Sequence, residues 1–175
     1  FLFMCAGYYS YRGGYRPDFP GEERFTGPIV HPQDWPDELD LTDQRVVVIG
    51  SGATAMTLVP AIAEDARHVT MLQRSPTYVV SLPSRDPIAR LLRRVLPDRL
   101  AGRLTRAKNI ALGQWFYRLT RTRPEKARRR LLEMVRSELG DEMVEQHFTP
   151  SYDPWDQRLC VIPDGDLYRA LQSGA

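Results

Sequence analysis

The sequence has few cysteines and no long apolar run, and each shortage excludes a class of protein. Its two cysteines, Cys5 and Cys160, are too far apart for a CxxC redox pair or a typical zinc-ligand spacing. Reduced thiols in a cytoplasmic protein are therefore expected, and no metal site is predicted. No apolar stretch approaches the roughly 20 residues of a transmembrane helix. The basic region that opens a secretory signal peptide is also missing.

Charge is unevenly distributed, although the formal net charge is only +2. Between Arg85 and Arg130 there are fifteen Lys or Arg residues and three acidic residues. This basic block also contains leucines at helical spacing, which predicts amphipathic helices with breaks at Pro97 and Pro124. Three interpretations stay open: a solvated face, a surface that docks on a membrane or a partner, and, least expected because no motif supports it, a nucleic-acid site.

The remaining pattern predicts an α/β fold. The β-branched run Arg45–Ile49 predicts a parallel strand that is buried on both faces. A helix over residues 56–66, despite Pro60, and a strand over 68–74 are expected to follow. Residues 75–87 and the segment after residue 147 are expected to be loops, apart from a short strand at 159–162. Residues 1–4 predict a short buried strand leading into a turn at 5–7, and residues 8–25 resemble a connector.

A glycine-rich turn follows the first of these strands and precedes the helix. Gly50, Gly52 and Ala55 form the pattern GxGxxA, in which the glycines permit a tight turn and close approach of a pyrophosphate. The free N–H groups of the helix N-terminus favour a bound anion. The turn therefore predicts a Rossmann-like dinucleotide site formed by Gly50, Ser51, Gly52, Ala53, Thr54 and Ala55. An ordinary glycine turn is the alternative.

The end of the second strand indicates which dinucleotide binds. An NAD site usually has Asp or Glu at this point to hold the ribose hydroxyl groups, whereas this chain has Arg74 and Ser75. Arginine can pair with a 2′-phosphate and serine can donate a hydrogen bond to it. NADPH is therefore predicted rather than NADH. A solvated arginine in a surface loop is the alternative.

A second motif precedes the turn and carries a family resemblance. Phe25, Gly27, His31, Trp35 and Pro36 match the fingerprint FxGxxxHxxxW(P/D). This segment resembles type I Baeyer–Villiger monooxygenases, which are class B flavin-dependent monooxygenases. The likeness extends to three further stretches, "QRSPTYV", "YDPWDQRLC" and "PDGDLYRA", and is closest to bacterial enzymes that oxidise ketones and activate thioamides.

The resemblance implies an FAD- and NADPH-dependent oxygenase that converts ketones to esters or lactones with O2, and that also oxidises sulfides or thioamides. It implies a truncated flavoprotein, since the GxGxxG turn expected for FAD is not in this sequence. Four segments are expected: the end of an FAD domain with a linker (1–24), the fingerprint and first part of the NADP domain (25–82), a helical insertion (83–148) and a segment returning towards the active site (149–175). An amine- or sulfur-oxygenating flavin monooxygenase and a non-catalytic NADP-binding module are the alternatives.

Roles for individual residues also follow from the resemblance. Arg158 stands where the family has a catalytic arginine, a permanent cation that stabilises negative charge on activated oxygen. A structural salt bridge is the alternative for this residue. Gln157 replaces a lysine that helps several relatives bind the 2′-phosphate, which leaves more of that role to Arg74. His31 is expected to couple nucleotide binding to domain arrangement rather than to exchange protons, Gly27 to permit a turn, and Trp35 to pack as an anchor.

Overall fold

The described residues of this computed structural model, 1–4, 7 and 10–174, divide into two units. The first unit is Phe1–Asp40 and the second begins at Leu41. In the first unit the regular elements among the described residues are two single turns of 3-10 helix, Glu22–Arg24 and Pro32–Asp34. The connector predicted over residues 8–25 is thus largely confirmed for its described part.

The buried strand predicted at residues 1–4 is wrong. These four side chains are exposed, and no described strand pairs with them, so neither backbone nor side chains find the partners that a buried strand needs. The turn expected at residues 5–7 includes Cys5 and Ala6, which lie outside the described residues.

Four strands of the second unit form two parallel pairs. Strand β1 (Arg45–Ile49) pairs in register with β2 (His68–Leu72), and β3 (Tyr78–Leu82) pairs with β4 (Leu159–Pro163). Helix α1 (Ala53–Ile62) connects β1 to β2, as a parallel pair requires. This strand–helix–strand unit confirms the predicted Rossmann-like arrangement, including the strand bounds at 45–49 and the start of β2 at His68.

Burial of β1 on both faces is a prediction that the structure contradicts. Val46 and Val48 are half-buried, whereas Val47 is 60% and Ile49 is 59% exposed. Helix α1 covers β1 and β2 from one side, and the alternating exposure shows that no described element covers the other. The apolar run predicted the strand correctly but not the number of layers around it.

Strand β3 lies in the segment predicted to be a loop. Its sequence, Tyr-Val-Val-Ser-Leu, contains the aromatic and β-branched residues that favour strands. Pro76 and Pro83 flank the strand rather than interrupt it, so all five residues remain free to pair with β4. The loop predicted over residues 75–87 is therefore wrong for this part of the segment.

The basic block is helical, as predicted. It contains α2 (Pro87–Val95), α3 (Asp98–Thr122) and the beginning of α4 (Pro124–Leu139), and α5 (Asp141–His147) follows. Pro97 immediately precedes α3 and Pro124 is the first residue of α4, positions where a missing N–H has no cost. Both predicted breaks are confirmed.

The loop predicted after residue 147 is interrupted by β4, as expected, and by an unexpected final helix. Helix α6 (Asp166–Ser173) buries Leu167 and Tyr168 and packs on α1. The acidic residues before it suggested a loop, but the helix is fixed by these apolar contacts. One core joins both strand pairs to helices α1, α4, α5 and α6. Its buried members are Met56, Val59, Val79, Val135, Val144, Phe148, Cys160, Ile162, Leu167 and Tyr168.

Candidate functional site: the dinucleotide turn and its neighbours

The glycine-rich turn lies between the carboxyl end of β1 and the start of α1. Gly50 has a φ of 143°, which non-glycine residues rarely adopt, and its N–H donates to the Leu72 carbonyl at 2.8 Å. Gly52 has an ordinary φ of −86° and precedes the helix. A Cβ at Gly52 would meet no described atom within 4 Å. The protein itself therefore leaves open the space where a bound phosphate would approach the backbone.

Buried small residues fix the rest of the turn. Ala55 is buried in the first turn of α1, where its size permits close packing. The Ser51 side chain is also buried, and its hydroxyl donates to the Ser75 carbonyl at 3.4 Å. The Thr77 hydroxyl donates to the Ser51 carbonyl oxygen at 3.3 Å. Ala53 and Thr54 are exposed at the helix start. The turn is thus fastened to the loop after β2.

Arg74 and Ser75 lie in that loop. The Arg74 side chain is exposed and free to meet an anion, since no described residue forms an ion pair with it. The preceding Gln73 donates through Nε2 to the His147 carbonyl at 2.7 Å, which ties the loop to the end of α5. The predicted 2′-phosphate residues therefore stand beside the dinucleotide turn, as a Rossmann site requires.

Arg158 reaches the same loop from the return segment. Its Nη2 donates to the Ser75 Oγ at 3.0 Å and lies 3.5 Å from the Ser75 carbonyl oxygen, although the two residues are 83 positions apart. Its Nε is buried without a hydrogen-bond partner among the described residues. Gln157 is exposed, and within the described part of the chain it makes no hydrogen bond. The structure therefore brings Arg158, but not Gln157, into contact with the predicted cofactor loop.

Two tyrosines that the sequence analysis missed hold the return segment in place. The Tyr152 hydroxyl lies 3.2 Å from the Pro76 carbonyl oxygen and 3.1 Å from that of Arg158, so its single proton is shared between them. The Tyr78 hydroxyl donates to the Tyr152 carbonyl at 2.6 Å. Burial raises the pKa of the Tyr78 phenol, against the opposing effect of Arg128, so this group stays a donor at neutral pH.

Helices α3 and α4 of the helical insertion also contact the return segment. Arg128 of α4 donates to the Pro150 carbonyl at 2.6 Å. Trp155 makes edge contacts with Phe116 and Tyr117 of α3, at ring-centroid distances of 6.3 and 6.4 Å. Its φ of 72° is unusual for a bulky residue, and such strain persists only where the surroundings impose it. These contacts hold α3 and α4 against the segment that carries Arg158.

Cys160 lies on β4, two residues after Arg158, and its thiol is free and buried. Burial raises its pKa, although the charge of Arg158 acts in the opposite direction. The thiol is therefore protonated at neutral pH and belongs to the core rather than to the site.

The fingerprint residues lie in the first unit. His31 caps the turn Pro32–Asp34, with its Nδ1 accepting from the Gln33 N–H at 3.2 Å. A Cβ on Gly14 would lie 1.8 Å from the His31 ring, so the imidazole packs directly on that glycine. One ring nitrogen is therefore held in capping, and the coupling role expected for His31 stays a prediction.

Gly27 lies at a bend of the chain, and its φ is not positive. A Cβ there would lie 2.8 Å from the far end of the exposed Phe25 ring. Trp35 is 40% exposed. Pro36 follows it and accepts a hydrogen bond from the Leu39 N–H at 3.2 Å. The roles expected for Gly27 and Trp35 stay predictions.

The second unit therefore has an α/β fold of the Rossmann type. The family model described as flavin-binding monooxygenase-like matches residues 1–120, and the chain belongs to this family.

The relatives and solved structures agree with this assignment. The FAD-containing monooxygenase EthA of Mycobacterium tuberculosis is 52% identical over 99% of this chain, and EthA of Mycolicibacterium smegmatis is 48% identical over the same share. The chain spans 36% of the length of each. A steroid monooxygenase bound to NADP matches 90% of this chain with a TM-score of 0.62 and 23% identity, over 37% of its own length.

A second solved structure has a similar fold. Cyclohexanone monooxygenase from Rhodococcus sp. Phi1, bound to NADP+, matches 90% of this chain with a TM-score of 0.61 and 20% identity, over 36% of its own length. At such identities the likeness concerns the fold. It confirms the predicted α/β fold with a helical insertion.

Proposed function

We propose that, in a protein of its relatives' length, this chain forms the NADPH-binding part of an FAD-dependent monooxygenase. The reaction inserts one oxygen atom of O2 beside a ketone carbonyl and yields an ester or lactone. The observation that carries this proposal is the meeting of Ser51, Ser75 and Arg158 at the predicted dinucleotide turn. The fingerprint from Phe25 to Pro36 and the ketone in the name of one structural neighbour support the ketone over other substrates.

The residues present fit NADPH. The backbone of residues 50–55 would face the pyrophosphate at the start of α1, where open space surrounds Gly52. Arg74 and Ser75 would hold the 2′-phosphate. When bound, NADPH supplies a hydride to FAD, whose reduced form activates O2.

Arg158 would carry the charge of the reacting oxygen in the complete enzyme. Its guanidinium is positive at any working pH and can therefore stabilise a developing anion without gaining or losing a proton. The hydrogen bonds of Tyr152 and Tyr78 orient the segment that carries it. His31, whose Nδ1 caps a turn of the first unit, would couple nucleotide binding to the arrangement of the domains.

A second candidate is an oxygenase of sulfides, thioamides or amines. The names of the EthA relatives specify FAD and oxygenation but no substrate, so this alternative shares all of the cofactor chemistry. A non-catalytic NADP-binding module is the third possibility.

The deciding experiment supplies the full-length protein with FAD, NADPH, O2 and a panel of ketones, sulfides and amines. Ester or lactone products detected by mass spectrometry support the proposal, and sulfoxide or N-oxide alone favours the second candidate.

Peripheral membrane contact is a separate proposal for the helical insertion. Within the described residues no helix combines the length and apolar character needed to cross a bilayer. On α2, however, Ile88, Leu91 and Val95 are exposed at helical spacing, beside Arg90 and Arg94. Such a face suits the surface of a bilayer with anionic lipids, while a solvated face remains the simpler alternative. Co-sedimentation of the full-length protein with anionic and neutral vesicles tests this, and absence of binding at low salt removes the proposal.

A cytoplasmic location likewise remains a proposal, consistent with the free thiol of Cys160.

A further inference from the structure

We propose that Trp155 is a positioning residue that holds Arg158 in its place beside the loop after β2. Trp155 lies three residues before Arg158 in the return segment, and its ring contacts α3. It would act through Arg158 rather than on a reacting atom. This inference rests on the role proposed above for Arg158 and extends it to a residue that the sequence analysis left without a role.

Residues 153–156 form a tight turn in which Trp155 has a strained backbone. The Asp156 N–H donates to the Asp153 carbonyl at 3.0 Å and closes the turn. Pro154 stands second in this turn, and Trp155 stands third with a φ of 72°. A proline followed by a residue with positive φ is the pattern of a type II turn, whose third position favours glycine or asparagine. A tryptophan at this position therefore needs side-chain contacts that offset the strain.

The contacts that offset the strain come from α3. The Trp155 ring meets Phe116 and Tyr117 edge to face, at centroid distances of 6.3 and 6.4 Å, which is a favourable geometry for aromatic pairs. The next residue of the turn, Asp156, pairs with Arg121 of α3 at 2.5 Å. Both side chains of that pair are about half exposed, so it adds little stability. The aromatic contacts are therefore the main attachment of the turn to α3.

Hydrogen bonds connect this turn to Arg158. The Tyr152 hydroxyl, just before the turn, lies 3.1 Å from the Arg158 carbonyl oxygen and 3.2 Å from that of Pro76. Both flanks of the turn are thus joined to each other and to the loop after β2. The Arg158 Nη2 then donates to the Ser75 Oγ at 3.0 Å. Because hydrogen bonds weaken steeply with distance and angle, a small shift of the turn at Trp155 would break this contact.

The test uses the full-length, FAD-loaded protein and two substitutions of the tryptophan. Trp155→Gly removes the ring and fits the positive φ, whereas Trp155→Phe keeps an aromatic ring. Trp115→Ala is the matched control, because Trp115 lies on α3, is 62% exposed and, within the described residues, makes no ring contact. Crystal structures give the distance from Arg158 Nη2 to Ser75 Oγ. Steady-state kinetics with NADPH and the substrate that the wild type oxygenates give kcat and KM, and thermal unfolding shows that each variant is folded.

Trp155→Gly should move Arg158 Nη2 beyond about 3.5 Å from the Ser75 Oγ, which is no longer a hydrogen bond. Its kcat should fall by about tenfold or more, since a displacement of about 1 Å can slow a reaction about a hundredfold. KM should change little, because Arg158 would act on the reacting oxygen rather than on ground-state binding. Trp155→Phe should retain most of the wild-type kcat, and Trp115→Ala should retain all of it.

Three outcomes would overturn the inference. They are an Arg158 that keeps its position in Trp155→Gly, a displaced Arg158 with an unchanged kcat, and a Trp155→Phe variant that loses as much activity as Trp155→Gly. If Trp155→Gly does not fold, Phe116→Leu removes one of the two ring partners and decides by the same distance and rate. A wild type that oxygenates no ketone, sulfide or amine would refute the proposed function, and the crystallographic distances would still decide whether Trp155 positions Arg158.

Discussion

Tyr78 and Tyr152 join β3 to the return segment by two contacts at once. The Tyr78 hydroxyl donates to the Tyr152 carbonyl at 2.6 Å, and the two rings meet edge to face with centroids 5.5 Å apart. Because the Tyr152 hydroxyl also bonds to the carbonyl groups of Pro76 and Arg158, hydrogen bonds join β3, the loop after β2 and the segment that carries Arg158.

Tyr78→Phe should therefore destabilise the protein while keeping the ring contact. The Tyr152 carbonyl would lose its donor in a part-buried setting, which costs about 0.5–1.5 kcal/mol. Chemical denaturation of the full-length protein measures this. Tyr117→Phe, at an exposed position, is the matched control and should change the free energy of unfolding little. Equal stability of Tyr78→Phe and wild type would show that water replaces the bond.

His31→Ala should slow turnover of the full-length enzyme and leave NADPH binding mostly intact. The substitution removes the cap on the Gln33 N–H and the ring that packs on Gly14. Because small misplacements of supporting residues can slow a reaction about a hundredfold, kcat should fall by up to about that factor. Steady-state kinetics and NADPH titration separate the two effects. Loss of NADPH binding with normal turnover per bound complex would contradict this role.

Asp86 should make the start of α2 sensitive to acid. Its carboxylate pairs with Lys108 and accepts from the Ile88 and Ala89 N–H groups, and the Lys108 bond is the largest cause of its lowered pKa. A lowered folded pKa means that the contribution is present above the unfolded value of about 4 and is lost as the pH falls through the folded value.

The stability difference between wild type and Asp86→Asn should accordingly shrink as the pH is lowered below about 4. Denaturation across this range measures it. Lys108→Met should flatten the dependence in the same direction, because it removes the largest cause of the shift. A difference that stays constant with pH would mean that the neutral side-chain oxygen, rather than the charge, stabilises the helix start.

Local signals in the sequence predicted the elements that depend on local chemistry. The run Arg45–Ile49, the glycine turn and the proline breaks at 97 and 124 each act within a few residues, and all were found where expected. Strand β3 was missed because its stability comes from pairing with β4, some 80 residues later. Helix α6 was missed because it is stabilised by packing on α1.

The candidate site shows the same limit. Arg74 and Ser75 were proposed from their place after a strand, and Arg158 from the family resemblance. The contact between Ser75 and Arg158 could not be predicted, because it depends on Tyr78, Tyr152 and Thr77, whose hydrogen bonds cross long sequence separations. A tyrosine in a strand and a tyrosine in a loop carry no local signal of such a role.

Gly50 and Gly52 should respond in opposite ways to the same substitution. Gly50→Ala places a Cβ on a residue with a φ of 143°, so it should cost about 1–3 kcal/mol of stability. Gly52→Ala meets no described atom within 4 Å and has an ordinary φ, so stability should hardly change or rise slightly.

Nucleotide binding should separate these two variants further. The methyl group of Gly52→Ala would occupy the open space where the pyrophosphate is expected to approach, so NADPH affinity should fall by tenfold or more, or about 1.4 kcal/mol. Thermal unfolding and NADPH titration of the full-length variants test both halves, and each glycine variant is the control for the other. A Gly52→Ala protein that binds NADPH like the wild type would mean that the pyrophosphate does not approach this residue, and the dinucleotide site would have to be placed elsewhere.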